Sequence, residues 1–258
     1  MELASIINRD LHPIIDSNYS IMCKSQLLRN GVLVLENFLN SETLEDLKKE
    51  AQEIRPNAYF CYQKHNAFLL ETDSTLPKTH IRNLEQVSDK GCIPHDKIPK
   101  SSRIRSIYES NEFRNFLERV LGENIFPYAD NLSSININYY EKGQQLGWHY
   151  DNASFAVTLM IQSADKGGKF QYLEKLRNLA DGDLGYKSTE ELIKGKIKPK
   201  TLSLDDGALV LFRGRNSLHR VVPVYGNKSR ILVTLNFNTK PGVMLSETAR
   251  MVFFGRLN

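Results

Sequence analysis

Gln145-Leu146-Gly147-Trp148-His149-Tyr150-Asp151 sets an imidazole and a carboxylate two residues apart. Side chains alternate across a strand, so in extended backbone His149 and Asp151 leave one face while Trp148 and Tyr150 leave the other as packing residues. A His-x-Asp triplet is weak alone, since the plain alternative is a surface histidine beside a strand-end aspartate. A third ligand must come from elsewhere, and His219 in Ser217-Leu218-His219-Arg220-Val221-Val222 is placed to supply it. A lone histidine is no stronger a signal. Together, two imidazoles and one carboxylate form a facial set that leaves the other positions of an iron ion open.

The surrounding chain reads as strands that would carry such a set. Ser134–Tyr140 alternates with period two. Phe155–Gln162, Lys169–Leu173, Thr201–Leu204, Ala208–Phe212, His219–Val224 and Ser229–Phe237 are short apolar or β-branched runs. Gly143, Gly167-Gly168, Gly207, Gly214 and Gly226-Asn227 mark the turns. Many short strands at even spacing predict a barrel or jelly roll. Residues 174–200 are a polar insertion with helical character.

The N-terminal half reads differently. Residues 1–30 predict one or two helices, and Gly31–Phe38 a strand. Asn40-Ser41 then caps a helix with Leu44, Leu47, Ala51 and Ile54 on one face, stopped by Pro56. A second helix starts at Ser110, buries Phe113, Phe116, Leu117, Val120 and Leu121, and ends at Gly122. Between them, Tyr59–Tyr62 and Ala67–Leu70 are candidate strands. Ser88–Ser102, with Gly91, Pro94 and Pro99, predicts a loop and a candidate substrate lid. The expected organisation is one domain over 1–258: helix-rich support and lid to about 125, a β core over about 126–240, and a C-terminal extension over 241–258.

Composition sets the class. The 258 residues are 41% hydrophobic and 25% charged, with net charge +4, ordinary for a globular chain. The basic run Lys194–Lys200 reads as a solvated loop, and no clustered basic surface points to nucleic acid. Cys23, Cys61 and Cys92 lack metal or disulfide spacing, which fits a reducing compartment. No leader pattern opens the chain and no run is long enough for a membrane span, so a cytoplasmic protein with no membrane partner is expected.

Further residues cluster by position. Arg230 stands eleven residues after His219 across a turn, where a guanidinium can pair with a carboxylate in bidentate fashion. Asn138 and Tyr140 share a strand face. Parity puts Thr234 and Asn236 on the face of Arg230, and Asn152 follows Asp151. For each the plain alternative is barrel lining without a ligand. His12, His65, His80 and His95 lack partner spacing and read as non-ligands.

At this point the chain resembles the Fe(II)/2-oxoglutarate-dependent oxygenases. The resemblance lies in Asn138-x-Tyr140-x-x-Gly143-x-x-Leu146-x-x-His149-x-Asp151, in Gly167-Gly168 before Phe170, in Asp206-Gly207-Ala208-Leu209-Val210-Leu211-Phe212, and in the spacing from His219 to Arg230. It covers about residues 134–238. It implies a double-stranded β-helix, a jelly-roll or cupin-like barrel, mainly β with packed helices (α+β) in the N-terminal half. It further implies Fe(II) held by His149, Asp151 and His219, with 2-oxoglutarate on Arg230 and on Asn138 and Tyr140. O2 is the remaining cosubstrate. The reaction implied is hydroxylation of an unactivated C–H bond, with succinate and CO2 as coproducts.

A weaker resemblance is to the branch of free amino-acid hydroxylases and halogenases. In its chlorinating members Gly or Ala replaces the carboxylate ligand, so Asp151 predicts hydroxylation. That branch carries an upstream arginine for the substrate carboxylate, and Arg82 is the candidate, with an exposed loop arginine as the alternative. The substrate implied is a small molecule, a free amino acid or a biosynthetic intermediate. Two other readings stand beside it. A nucleic-acid or protein demethylase or hydroxylase is disfavoured because Arg230-Ile231-Leu232-Val233-Thr234-Leu235-Asn236 lacks a repair enzyme's second arginine. A non-catalytic metal-binding barrel is disfavoured by the intact ligand set. The sequence leaves the oligomeric state and the oxidised carbon open.

Overall fold

The computed structural model describes residues 2–258. Helix α1 (Ser17–Asn30) starts on the Asp16 side chain, which accepts from Asn18 N, and ends on left-handed Gly31. Strand β1 (Val32–Leu35) follows. Helix α2 (Ser41–Ile54) begins where Asn40 accepts from Thr43 N, the side-chain cap its sequence predicts. Pro56 falls in a 3-10 turn that ends it. Next come β2 (Tyr59–Asn66) and β3 (Glu85–Ile93), then α3 (Arg103–Glu109) and α4 (Asn111–Leu121). Strands β4 (Phe126–Pro127), β5 (Ile135–Tyr140), β6 (Leu146–His149), β7 (Ala156–Gln162) and β8 (Phe170–Leu173) lead to α5 (Tyr186–Ile193). The chain closes with β9 (Lys200–Leu202), β10 (Leu209–Phe212), β11 (Leu218–Val221), β12 (Arg230–Leu235), β13 (Phe237–Asn238) and α6 (Glu247–Phe254). Among the described residues no helix is long and apolar enough to cross a membrane.

Eleven strands form one curled antiparallel sheet in the order β1-β10-β7-β12-β5-β3-β6-β11-β8-β9, with β2 on β3. This is the jelly-roll architecture expected. β3 is where the sheet folds over. Its end pairs with β5 through Gly91–Ile93, while Ser88 pairs with Leu146 of β6. The fold thereby faces β6 and β11 towards β5, β7 and β12 across an interior.

Parity along β5 and β12 divides core from site. Ile135, Ile137, Tyr139, Ile231, Val233 and Leu235 point outward into an apolar cluster shared with Leu47 of α2 and with Phe113 and Phe116 of α4. Burial of these side chains is the main force holding helices to sheet. The alternate residues Asn136, Asn138, Tyr140, Arg230, Leu232 and Thr234 face inward and line a cavity.

Two local expectations are overturned. Ser88–Ile93 is not loop but the C-terminal half of β3. Its polar residues are held extended because both neighbouring strands and β2 take its hydrogen bonds, a tertiary effect that outweighs weak strand propensity. Ala67–Leu70 is not a strand. Asn66 folds it into a turn, its Oδ1 accepting from Phe68 N at 3.0 Å and its Nδ2 donating to Leu70 O at 2.6 Å. Helix α3 was not anticipated; Ser102 caps it by accepting from Ile104 N at 3.2 Å.

Candidate active site

His149 ends β6 and is the direct cross-strand partner of His219 on β11. The rings lie 4.1 Å apart between centroids. Asp151, just past β6, brings Oδ1 to 3.6 Å from His149 Nε2 and 3.4 Å from His219 Nε2. Among the described residues these three form a group whose ligand atoms all lie within 4.8 Å of one another. Donors bound at about 2 Å and at right angles sit about 3 Å apart, so a small inward movement completes a facial set.

The protonation states suit a metal. His149 Nδ1 is 2.8 Å from Gly147 O and His219 Nδ1 is 3.0 Å from Ser217 O. Each carbonyl fixes the Nδ1–H tautomer and turns the Nε2 lone pair towards Asp151. Burial, with the neighbouring His219, lowers the His149 pKa and keeps the ring neutral. Burial pushes the Asp151 carboxyl up, but its close contacts with the His219 and His149 rings outweigh it and hold it well below the usual carboxylate range. Neutral imidazoles and an ionised carboxylate are the ligating forms.

The cavity around this group has a volume of about 370 Å³, within the range of small-molecule sites. Phe170 and Phe212 wall His219, with ring centroids 5.6 and 4.8 Å away. Arg230 is only 2% exposed. Its register partner Tyr140 lies under the guanidinium, 5.2 Å from carbon to ring centroid. Nε and Nη1 of Arg230 are buried without a hydrogen-bond partner, and burial lowers its pKa. A buried, unpaired guanidinium costs several kcal/mol unless an anion meets it, on the order of the desolvation of one ion. The donor set and this orphaned cation therefore fit an iron ion and a dicarboxylate cosubstrate whose far end reaches Arg230. Gly168 makes room: with φ of +62°, its Cβ position is 3.3 Å from Arg230 Cδ.

The remaining residues singled out from sequence divide. Asn138, Tyr140, Thr234, Asn236 and Asn152 line the cavity, whereas Arg82 does not. Asn138 Oδ1 is engaged by Lys90 Nζ at 2.7 Å. Asn236 Nδ2 donates to Ser133 O at 2.6 Å and to Asn136 Oδ1 at 3.0 Å. Asn152 is exposed. Trp148 and Tyr150 point away from the ligands into a second apolar cluster. His65, read as a non-ligand, nevertheless lines the cavity and reaches Ser88 Oγ at 2.7 Å through Nε2.

Sequence reasoning missed Lys90 and Gly214. Lys90 lies in a stretch with the glycine and polar content of a loop, so strand parity reaches it only through the pairing of β3. Gly214 looked like an ordinary turn glycine; its closeness to Asp151 is a tertiary relation with no local signal.

Comparison with known proteins agrees with this geometry. The family model described as Halogenase D matches residues 15–250. No curated protein matches the sequence. Among solved structures, a 2OG-Fe(II) oxygenase family oxidoreductase from Burkholderia pseudomallei superposes with a TM-score of 0.56 at 13% identity, covering 87% of this chain and 92% of that one. The carbocyclase SnoK of nogalamycin biosynthesis, described as non-heme and alpha ketoglutarate dependent, gives 0.58 at 12% identity over 89% of each chain. A Pseudomonas putida prolyl-4-hydroxylase gives 0.51 at 13% identity over 86% of this chain and 99% of its own. At such identities the likeness is one of fold.

Proposed function

The chain belongs to the Halogenase D family, and from that premise we propose that it is an Fe(II)- and 2-oxoglutarate-dependent dioxygenase that hydroxylates an unactivated C–H bond of a small molecule. The observation that carries the choice of hydroxylation is the carboxylate of Asp151, converging with two imidazoles. A side chain without a ligand atom at 151 would leave a coordination position for a halide; an aspartate fills it.

His149, Asp151 and His219 would hold the iron. Bound there with 2-oxoglutarate and O2, it supplies the oxidising power for C–H hydroxylation, with succinate and CO2 formed alongside. The protein contributes position. Ser217 O and Gly147 O lock the imidazole tautomers. Arg230 receives the cosubstrate's far carboxylate as a charge-assisted pair, with Tyr140 beneath it and Asn138 beside it. Phe170 and Phe212 keep water from the His219 side. Thr234, Asn236 and Asn152 offer hydroxyl and amide groups to the substrate, a free amino acid or a biosynthetic intermediate. We read residues 1–258 as a single oxygenase domain. A reducing compartment such as the cytoplasm suits its three free, buried cysteines.

The test is a panel of free amino acids and metabolites, incubated aerobically with Fe(II), 2-oxoglutarate and excess chloride. Succinate release with a product that has gained oxygen is expected. A chlorinated product from the unaltered protein contradicts the choice of hydroxylation.

A further inference from the structure

His149 stands at the end of a break in its strand. β6 pairs with β11 at Leu146↔Val221 and again at His149↔His219, with a shift of register between. Three steps along β6 thus span two along β11. The extra residue makes a β-bulge, which interrupts the ladder and re-aims the side chain beside it. Here that side chain is a proposed iron ligand, and Gly147 within the bulge supplies the carbonyl that meets His149 Nδ1. A broken ladder leaves this backbone in need of an anchor from another strand.

β3 provides one. Ser88 is buried and is the register partner of Leu146, and Gly147 N–H donates to its Oγ at 2.9 Å. The two strands lie too close for a side chain between them, since a Cβ at 147 would meet Val87 O at 2.7 Å. Ser88 Oγ is also 2.7 Å from His65 Nε2, and His65 Nδ1 is 3.0 Å from Asn66 O. The ends of this series fix its protons, because an amide N–H only donates and a carbonyl only accepts. His65 Nδ1 carries the hydrogen. In the neutral ring Nε2 then holds a lone pair, and the one hydroxyl proton of Ser88 goes to it. A directed series therefore runs from His65 on β2 through Ser88 on β3 to Gly147 and His149 on β6.

Resting on the proposed iron site, we infer that His65 is a positioning residue for His149: it accepts the Ser88 proton, holds the Ser88 oxygen towards Gly147, and so fixes the bulge that aims the imidazole. The His65 ring is 6.2 Å from that of His149 between centroids, close enough to invite a role as ligand or base. Both of its nitrogens are already engaged by the protein, so it presents no free polar atom to metal or substrate. The competing role is packing, since His65 also lines the cavity. Two substitutions separate the roles. Glutamine sets an amide oxygen near the place of Nε2 but has no ring, whereas phenylalanine keeps the ring and loses the acceptor.

The experiment compares the intact protein with His65→Gln, His65→Phe and Ser88→Ala, each checked for folding by its melting curve. Amide hydrogen exchange at Gly147 is measured without metal. Co(II), which takes the same nitrogen and oxygen donors and has visible ligand-field bands, is then titrated anaerobically. In His65→Phe and Ser88→Ala we expect Gly147 to exchange about tenfold faster. We expect Co(II) affinity to fall about tenfold in both, at the low end for disturbing the support of a metal ligand, with the ligand-field bands shifted. His65→Gln should recover both quantities to within about threefold of the parent, by the same measure of ligand support. Parental exchange and affinity in His65→Phe overturn the inference. So does a Gln variant that falls as far as Phe or further, which assigns His65 to packing. A parent that binds no Co(II) removes the iron site and the role of His65 at it, while the exchange rates still report whether His65 holds Gly147.

Discussion

Gly214 lies flat against Asp151. A Cβ built at position 214 meets Asp151 Oδ2 at 1.7 Å and Cγ at 2.5 Å, while Gly214 O accepts from Asp151 N at 3.2 Å. The turn between β10 and β11 therefore holds both ends of Asp151, the one acidic side chain of the proposed iron group. Its glycine is there for space, since no atom larger than hydrogen fits.

Gly214→Ala should keep the fold and displace the carboxylate. We expect iron affinity to fall about 10–100-fold, the usual cost of disturbing the support of a metal ligand, with the thermal midpoint of the apo-protein little changed. Equilibrium Fe(II) titration beside a melting curve checks this; parental affinity in the variant would show that the carboxylate does not depend on Gly214.

Arg230→Met should weaken 2-oxoglutarate while sparing iron. Loss of a charge-assisted pair is worth roughly 1.5–3 kcal/mol, about 10–150-fold in affinity. Arg230→Lys should recover only part of it, because an ammonium lacks the planar fork. Titration of the charge-transfer band gives the constants. Equal 2-oxoglutarate affinity in Arg230→Met would move the cosubstrate elsewhere.

His95 should make the apo-protein acid-sensitive. Burial and the adjacent Arg105 guanidinium lower its pKa to about 4. Below the ordinary value of 6.5 the unfolded chain takes up a proton that folded His95 refuses. Stability is therefore full above pH 6.5 and falls as pH drops from 6.5 to about 4. One such proton contributes at most about 1.4 kcal/mol per pH unit, less for a half-buried ring. His95→Gln should flatten this part of the stability–pH curve measured by urea unfolding. An equally steep curve would locate the sensitivity in other histidines.

Phe116 should matter for stability alone. It is fully buried on α4 and stacks on Tyr19 at 6.1 Å. Phe116→Ala should cost about 3–5 kcal/mol, seen as a lower urea midpoint at unchanged slope, while the folded fraction binds Fe(II) as the parent does. A loss of iron affinity in that fraction would couple the helical layer to the site.

The metal group was legible because its logic is local. His149 and Asp151 need only strand parity, and His219 and Arg230 stand at strand positions whose apolar neighbours mark them. The same parity placed Thr234 and Asn236 in the cavity, and the caps of α2 and α4 are written in Asn40 and Ser110. What was hidden depends on partners distant in sequence. Ser88–Ile93 has the glycine and polar content of a loop and becomes strand only because β2, β5 and β6 flank it. Lys90 then gains meaning from a register no local pattern carries. Arg82 drew notice by resemblance, yet its loop leaves it outside the cavity lining.

His149, Asp151, His219 and Arg230 should bind Fe(II) and 2-oxoglutarate together. Anaerobic addition of one equivalent of Fe(II) and then 2-oxoglutarate to the intact protein should raise a visible charge-transfer band that saturates at one of each per chain. Asp151→Ala should lose most of it. An intact protein that binds Fe(II) without developing the band would show that these residues do not form the cosubstrate site, and a band of full strength in Asp151→Ala would remove Asp151 from the iron group.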